Sequence, residues 1–238
     1  NYILMDQFDQ QYFIYQKLKS FWSVENFQLI TGDPDKSSRW MQSANLLKWL
    51  NKISEEAIDS NKLKVAEEIE MQALGNLYEK YHQLLEERNA LDFSTIQIET
   101  LNLLKKNPKV SKKIKDQIKY IMVDEYQDTN TIQELLIREL LNEDENICVV
   151  GDDDQGLYRF RGASIRNILE FKNLFALNTC KEIKLETNYR SHPDIVNFYS
   201  EWMEDQSGEI EGKSFRFEKH IHAQNAEFIK IPTTLKVA

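Results

Sequence analysis

Long apolar runs and cysteines are scarce in this chain of 238 residues. No apolar run approaches the ~18–20 residues of a membrane-spanning helix, and no signal peptide is recognisable at the amino terminus. We therefore expect no membrane partner and a cytoplasmic location. The two cysteines, Cys148 and Cys180, are few, and we expect both to be reduced.

Positive charge is also in short supply, since the formal net charge is −9 and the sequence pI is about 5.1. A protein that coats nucleic acid without specificity is usually basic, so the composition argues against that simple class. DNA binding remains open because local patches, rather than the net charge, decide contacts. A chain of 238 residues can hold one medium domain or two small ones, and 41% hydrophobic residues are enough to build a core.

Helical periodicity dominates the first ninety residues, and no strand pattern is visible there. Residues 2–22 predict a helix with an aromatic stripe that contains Phe8, Tyr12, Tyr15 and Leu18. Such a stripe more often faces a core than a ligand, so we assign it to the core.

Two more helices are predicted in this part of the chain. A turn-rich loop ends at Ser37 and Ser38, and either serine suits the cap of a helix over about residues 40–53. Apolar residues at helical spacing then predict a helix from about residue 62 to 88.

Three short runs rich in apolar and β-branched residues follow between residues 119 and 193, and each ends in a polar cluster. The clusters are Asp124–Glu125, Gly151–Gln155 and Asn188–Ser191. Helix-like patterns follow each cluster, which is the order of elements in a parallel α/β sheet. Ligands bind beyond the carboxyl ends of such strands, so we expect all three clusters to meet at one edge.

The elements around these runs are mainly helical. Helices are predicted over about residues 91–104, 131–141, 164–175 and 193–203, and strands over 215–217 and 228–231. We treat Asp92, at the start of the first of these helices, as structural. The basic run at 105–115 could touch a phosphate backbone, but a solvated helix face is the favoured interpretation.

The pair Asp124–Glu125 has two interpretations. A carboxylate at the end of a buried strand can hold Mg²⁺, and the next can accept a proton from an attacking water, as nucleotide hydrolysis requires. Alternatively, the pair only starts a turn and caps the following helix. The acidic run Asp152–Asp154 is interpreted as a solvated loop with one structural acid.

Three motifs carry a resemblance to a known family: Asp124-Glu-Tyr-Gln-Asp-Thr-Asn130, Gly151-Asp-Asp-Asp-Gln155 and Asn188-Tyr-Arg-Ser191. Together they resemble the superfamily 1 helicases of the UvrD, Rep and PcrA type, over about residues 91–203. The resemblance implies a partial RecA-like (P-loop NTPase) parallel sheet plus an all-helical N-terminal subdomain. It divides the chain into a 1B-like helical insertion at 1–91, the later half of motor domain 1A at 92–203, and crossover strands at 204–238.

The resemblance also implies roles for five residues in ATP hydrolysis. Asp124 is similar to the Mg²⁺ carboxylate and Glu125 to the general base. Gln155 and Arg190 resemble the residues that sense and contact the γ-phosphate, for which a planar guanidinium is suited. Tyr189 resembles the aromatic side chain that stacks on adenine.

Single-stranded DNA, or a junction of duplex and single strand, is the partner that the resemblance implies. Tyr158 and Phe160 match aromatics that line the strand path, where stacking contributes ~1–3 kcal/mol per base. Arg161 either contacts a DNA phosphate or pairs with nearby carboxylates and relays the nucleotide state, and we favour the second. Gly156 and Arg159 depart from the UvrD pattern, so this motif is closer to the RecB/AddA-like branch.

Two parts of the family pattern are missing: the phosphate-binding loop and the motifs that the family carries on its second motor domain. A Gly-x-x-x-x-Gly-Lys-Ser/Thr loop should precede Asp124, and none does. The segment Gly208–Ser214 is one residue short between its glycines and is interpreted as a turn into a strand. The chain also begins with Asn1. We expect a piece of a longer helicase that neither hydrolyses ATP nor unwinds DNA alone.

Two other functions fit the same residues. A metal-dependent phosphatase or nuclease would use Asp124, Glu125 and Asp152, and would cleave phosphodiesters without ATP. A degenerate module would only bind DNA or a protein partner, and would tolerate Glu125→Gln.

Overall fold

The computed structural model describes residues 2–142, 144, 146–155, 165–175, 180–204, 209–210, 213–214 and 219–224. We call residues 2–92 the helical region and the described residues from 93 to 224 the sheet region. The helical region consists of β1 (Ile3–Met5), α1 (Gln7–Phe21), α2 (Phe27–Thr31), α3 (Arg39–Glu55), α4 (Ser60–Lys64), α5 (Ile69–Arg88) and β2 (Ala90–Asp92).

The sheet region alternates helices with short strands. Its elements are α6 (Phe93–Lys106), α7 (Pro108–Lys115), β3 (Ile121–Val123), α8 (Thr131–Leu140), β4 (Ile147–Val149), α9 (Ile165–Leu169), α10 (Phe171–Leu174), β5 (Thr187–Asn188), α11 (Pro193–Glu204), β6 (Glu209–Ile210), β7 (Lys213–Ser214) and β8 (His222–Ala223). In the described part of the chain, no helix has the length and apolar character to cross a membrane.

One large apolar core holds the helical region together. Helices α1, α3 and α5 contribute to it, with Phe13, Leu50 and Leu77 each at most 1% exposed. Burying a side chain of this size contributes about 1.5–3 kcal/mol, so this core is a major source of stability. The predicted cap of α3 is Ser38, whose Oγ accepts a hydrogen bond from the backbone N–H of Met41 over 3.2 Å.

The aromatic stripe of α1 lies at the surface, so its assignment to the core is wrong. Phe8 is 65% and Tyr12 45% exposed, and their rings stack beside Trp40 of α3. Only Leu18 of the predicted stripe is fully buried. Helix α1 carries two apolar faces, and the one around Phe13 packs inward. The spacing of apolar residues in the sequence reveals both faces of α1 but does not show which face is buried in the core.

A strand precedes α1, so the prediction of an all-helical N-terminal part is wrong. β1 pairs in parallel with β2, with Leu4 opposite Leu91. A strand of three residues is too short to show the alternation that identifies strands in a sequence. Asp92 ends β2 and caps α6, because its Oδ1 accepts from the backbone N–H groups of Ser94 and Thr95. Its predicted structural role is confirmed.

The helix predicted over residues 62–88 is two helices, α4 and α5, joined by a turn. That turn contains neither glycine nor proline, so the sequence carries no local stop signal. Packing produces the break: α4 lies across Gly75 of α5, where an added Cβ would be 2.9 Å from Lys64 Cγ. The turn is also held by Gln72, whose Nε2 donates to the carbonyl oxygen of Ala66 over 2.8 Å.

The sheet region is built on the parallel pair of β3 and β4. Ile121 lies opposite Ile147, and Val123 lies opposite Val149. Helices α9 and α10 cover one face of this pair with a small apolar cluster that includes Ile168. The predicted parallel strands and covering helix are therefore present, although the helix predicted over residues 164–175 is interrupted between α9 and α10.

The third predicted strand does not join this pair. Among the described residues, β5 pairs in parallel with β8 and not with β3 or β4. The expected single sheet is therefore two separate parallel pairs, which is compatible with an α/β class. Pro193 opens α11 as predicted. The strands predicted at 215–217 and 228–231 lie outside the described residues.

Candidate functional site

The loops that follow β3 and β4 lie side by side at the carboxyl end of this strand pair. The N–H of Val150 donates to the carbonyl oxygen of Val123 over 2.8 Å. The N–H of Tyr126 donates to the carbonyl oxygen of Val150 over 2.9 Å. Asp124 and Glu125 are exposed at this edge. The first two polar clusters of the sequence are therefore neighbours.

Glu125 has a left-handed backbone conformation, with φ 51° and ψ 44°. Such a conformation costs a residue with a side chain about 1 kcal/mol or more, and it persists where neighbours hold it. Here Asp124 holds it, because its Oδ1 accepts from the N–H of Glu125 over 3.0 Å. The two carboxylates thus form one tight turn at the end of β3.

The pair Asp124–Glu125 does not cap the following helix, so that part of the alternative interpretation is wrong. Asn130 caps α8: its Oδ1 accepts from the N–H of Gln133 over 3.0 Å. The Gln133 side chain in turn accepts from the N–H of Asn130 over 3.1 Å. This capping box satisfies the helix end and leaves the two carboxylates for another role.

Gln127 connects the two loops, and sequence reasoning did not single it out. It is 1% exposed. Its Nε2 donates to Glu125 Oε2 over 2.7 Å, and its Oε1 accepts from the N–H of Asp152 over 2.9 Å. The available signal was an amide two residues after the carboxylate pair, because an amide carries a separate donor and acceptor atom at one side-chain end.

Gly151 allows the second loop to approach Gln127 closely. A Cβ at this position would lie 2.7 Å from Gln127 Oε1 and 2.8 Å from Ile168 Cδ1. Both distances are shorter than a carbon atom tolerates. A side chain here would therefore separate the loops or displace the amide.

Beneath the loops, the ring of Tyr126 is fully buried. It packs edge-on against Phe171, with ring centroids 5.5 Å apart. Burial raises the pKa of the Tyr126 hydroxyl, so the phenol stays neutral. The two polar loops thus pack on aromatic side chains.

The three carboxylates of Asp152, Asp153 and Asp154 all contact the ammonium group of Lys219, with 3.1 Å between Lys219 Nζ and Asp154 Oδ2. The side chains of Asp153 and Asp154 are each only 2% exposed. The prediction of a solvated loop with one structural acid is therefore wrong. A 3₁₀ turn over residues 153–155 curls the backbone, and this brings adjacent carboxylates to one cation.

Lys219 is held as a cation by these contacts. Burial alone would lower the pKa of its ammonium group, but hydrogen bonds to Asp152 and Asp153 outweigh burial and raise the pKa. Lys219 lies three residues before β8, which pairs with β5. The segment 219–224 therefore contacts both the loop after β4 and the strand that leads to Arg190.

Gln155 completes the chain of contacts. Its Nε2 donates to Asp152 Oδ2 over 2.8 Å, while the residue itself is exposed. Glu125 and Gln155 are therefore linked through Gln127 and Asp152. Two of the three predicted catalytic residues lie in one hydrogen-bonded network.

The third predicted catalytic residue, Arg190, is exposed at the end of β5. Asn188 shapes this turn, because its Oδ1 accepts from the N–H groups of Arg190 and Ser191, each over 2.9 Å. Tyr189 is 69% exposed. Among the described residues, no hydrogen bond or ion pair joins the Arg190 side chain to Glu125, so its approach to the other groups stays a prediction.

The predicted DNA-contacting residues Tyr158, Phe160 and Arg161 lie outside the described residues. The segment Gly208–Ser214 contains β6 and β7, which pair antiparallel. These described strands differ from a phosphate loop that opens a helix, and the strand predicted after the turn lies outside the described residues.

Asp124 has the chemistry of a Mg²⁺ ligand. It offers an exposed carboxylate at the carboxyl end of a strand, and Glu125 adds a second one nearby. Within the described residues, no group of three His, Cys, Asp or Glu side chains is arranged to hold a metal ion. Mg²⁺ commonly takes one or two carboxylates and completes its shell with water and phosphate oxygens, so this donor set fits an ion that arrives with a nucleotide.

Comparison with known proteins gives consistent matches. A family model described as the UvrD/REP helicase N-terminal domain matches residues 1–176. The ATP-dependent DNA helicase PcrA of Staphylococcus epidermidis RP62A is 40% identical over 144 residues, which are 60% of this chain and 20% of that protein. PcrA of Staphylococcus aureus Mu50 is 41% identical over 145 residues, with the same coverage of 60% and 20%. The match thus spans about a fifth of these relatives.

Proposed function

The chain belongs to the UvrD/REP helicase family, and we propose that it is part of an ATP-dependent DNA helicase. In this proposal the parent protein couples ATP hydrolysis to movement along single-stranded DNA. ATP would lie between this motor domain and a second one, with Mg²⁺ as the metal cofactor. The similar PcrA proteins carry the name ATP-dependent DNA helicase, which supports the proposal.

The observation that carries the proposal is the hydrogen-bonded network from Glu125 through Gln127 and Asp152 to Gln155. It joins the two loops that follow neighbouring parallel strands, where ligands bind in such sheets. A base on one loop and an amide on the other are two parts that nucleotide hydrolysis uses together.

Each residue has a separate task in this mechanism. Glu125 accepts the proton of the attacking water, and its hydrogen bond from Gln127 orients the carboxylate. Asp124 would hold Mg²⁺, which neutralises phosphate charge when bound with the nucleotide. Gln155 senses the γ-phosphate, Arg190 contacts it, and Tyr189 stacks on adenine. The exposure of these side chains leaves them accessible to a nucleotide.

The DNA side of the mechanism uses the segment between β4 and α9. Tyr158 and Phe160 stack on bases of a single strand, which suits a motor that must accept any sequence. Arg161 pairs with carboxylates and relays the nucleotide state to the DNA path. These three roles rest on the family resemblance of the motif.

The test of the proposal is Glu125→Gln in the full-length protein. Loss of a general base lowers turnover about 100- to 10,000-fold, so we expect the DNA-stimulated ATPase rate to fall by at least about 100-fold. Binding of a fluorescent ATP analogue should change little, because the substitution keeps the size of the side chain. Glu87→Gln, at an exposed position of α5, is the matched control and should retain the wild-type rate.

An unchanged ATPase rate in Glu125→Gln would refute the role of Glu125 and favour a degenerate binding module. For the 238-residue chain alone, we expect no ATP turnover, because no Gly-rich loop with lysine precedes Asp124. The phosphatase or nuclease alternative gains no support. That alternative requires the Asp152 carboxylate, which instead contacts the ammonium group of Lys219. Mg²⁺-dependent phosphodiester cleavage without ATP would revive it.

Both cysteines are free thiols in the structure. This agrees with a reducing compartment, and a cytoplasmic location is part of the proposal.

A further inference from the structure

The strongest concentration of one charge in the chain lies at the corner between α6 and α7. Residues 105–119 contain seven lysines and a single acid, Asp116, in a chain whose formal net charge is −9. Helix α7 begins at Pro108 and is only eight residues long. The lysines are thus confined to one compact part of the surface.

Five of these lysines are exposed at the end of α6 and on α7, and we call them together the lysine face: Lys105, Lys106, Lys109, Lys112 and Lys113. All five residues are exposed, which fits a solvated helix face and a surface that contacts phosphates equally well. Within the described part of the chain, none of the five ammonium groups makes an ion pair or a hydrogen bond. Their charge is therefore available to an anion.

The other side of α7 is fixed to the protein. Ser111 Oγ donates to Glu139 Oε1 over 3.1 Å, and Lys115 Nζ lies 3.4 Å from the same carboxylate oxygen. Glu139 belongs to α8. These contacts hold the helix in one orientation, so the lysine face is a preformed surface and not a loose charged tail.

The lysine face is separate from the candidate site. Helix α7 leads into the amino end of β3, whereas Asp124 and Glu125 follow its carboxyl end. A ligand on the lysine face therefore need not occupy the nucleotide site or the single-strand path proposed above.

We propose that the lysine face binds the phosphate backbone of duplex DNA. Clustered ammonium groups release condensed counterions from DNA, and this term is independent of base sequence. Single-strand sites combine cations with aromatic side chains that stack on bases, and residues 105–119 contain no aromatic residue. Duplex DNA has the denser line of phosphates, so it fits a surface that offers charge alone. The contact would add a duplex-binding surface to the proposed motor.

The test is fluorescence anisotropy of a labelled blunt duplex of about 20 base pairs with the 238-residue chain, without nucleotide. One variant replaces the five lysines of the lysine face with glutamine. A matched variant replaces five exposed lysines elsewhere: Lys17, Lys19, Lys48, Lys62 and Lys181. Both variants have the same net charge, so they separate the lysine face from the overall charge.

We expect wild-type affinity to fall about 150- to 500-fold from about 50 to 200 mM salt, as four or five phosphate contacts require. The lysine-face variant should bind at least about tenfold more weakly at low salt and lose most of this salt dependence. The matched variant should keep the wild-type salt dependence. A second variant, with only Lys109, Lys112 and Lys113 changed, should show an intermediate dependence. Circular dichroism melting checks that each variant is folded.

Several results would overturn the proposal. The wild-type chain could fail to bind the duplex, or the two five-lysine variants could lose the same amount of duplex affinity. The wild-type chain could also bind a single strand of the same length more tightly than the duplex. Displacement of the duplex by polyglutamate at lower concentration than by unlabelled duplex would instead identify an acidic protein segment as the partner. The Glu125→Gln chain should bind duplex like the wild type, so failure of the ATPase proposal leaves this test intact.

Discussion

The helical region and the sheet region bury their apolar side chains to very different extents. The core of the helical region contains seventeen buried residues, whereas the corresponding cluster in the described part of the sheet region contains four. One face of the β3–β4 pair is apolar and open, with Met122 83% exposed and Cys148 exposed beside it. Parallel strands are usually covered on both faces, so the sheet region has apolar surface that a further layer would stabilise.

The polar contacts of the two regions differ as well. In the helical region they are interior: Asp92 Oδ2 accepts from Tyr81 Oη over 2.6 Å and from Gln10 Nε2 over 3.1 Å. In the sheet region they join loops at an edge, as Gln127 and Lys219 do. The comparison indicates that the helical region is held together mainly by burial of apolar side chains. The sheet region is held more by contacts that a bound ligand can alter.

The first and largest prediction tests this contrast with two apolar truncations. Leu77→Ala, at a fully buried position, should lower the free energy of unfolding by about 3–5 kcal/mol through lost burial and a cavity. Met122→Ala removes a side chain that is 83% exposed and should change it by less than about 0.5 kcal/mol. Urea unfolding followed by circular dichroism measures both. Equal losses of unfolding free energy in the two variants would contradict the contrast between the buried core of the helical region and the open apolar face of the sheet region.

The second prediction concerns the ion contacts of the sheet region. Lys219→Met leaves the carboxylates of Asp153 and Asp154 without their shared ammonium, which should cost about 2–3 kcal/mol, somewhat less than loss of a fully buried pair. Lys219→Arg keeps the charge and should retain most of the stability. Amide hydrogen exchange should accelerate at residues 152–155 but not in α5. Acceleration in both regions would show that they unfold as one unit.

The third prediction is the smallest and concerns the junction of the two regions. Glu56 follows α3 and accepts from Lys52 Nζ over 2.6 Å and from Thr131 Oγ1, at the start of α8, over 2.7 Å. Burial alone would raise the pKa of Glu56, but these hydrogen bonds outweigh burial and lower the pKa. Its contribution is therefore present above its ordinary pKa of 4.5 and is lost as pH falls through the lowered value.

Glu56→Gln should accordingly lower the free energy of unfolding by about 0.5–1 kcal/mol at about pH 6, and by much less at about pH 3. Glu55→Gln is the matched control, and its expected effect on stability has the opposite sign. Burial raises the pKa of Glu55, so the charge of this carboxylate opposes folding at neutral pH. Glu55→Gln should be neutral or stabilising at about pH 6. A pH-independent effect of Glu56→Gln would show that its charge does not contribute to the junction.

The sequence was most informative where local signals decide the structure. Apolar runs that end in carboxylates predicted β3 and β4, and a serine before an apolar period predicted the cap of α3. Both signals act within a few residues of the chain. The pairing of the loops after β3 and β4 follows from parallel strands alone. The family itself was recognisable from three motifs and is confirmed by the match over residues 1–176.

Features that depend on distant packing could not be predicted. The break between α4 and α5 depends on space at Gly75, and the burial of Asp153 and Asp154 depends on Lys219 from far along the chain. The inner face of α1 was misassigned because it depends on which helices pack against it. Gln127 was overlooked because an amide in a polar motif carries no sign of its partners until the second loop is placed beside it.

Gln127 has one further consequence, which comes from the shape of its amide group. Both hydrogen bonds use opposite atoms of one plane, so a half-turn about the last side-chain bond would set oxygen against the Glu125 carboxylate and N–H against the N–H of Asp152. Only one orientation satisfies both neighbours. If the Glu125 carboxylate moved away, this amide would lose a partner on one side while still holding the N–H of Asp152 on the other. The side chain of Gln127 thereby ties the position of the Glu125 carboxylate to the loop that carries Gln155.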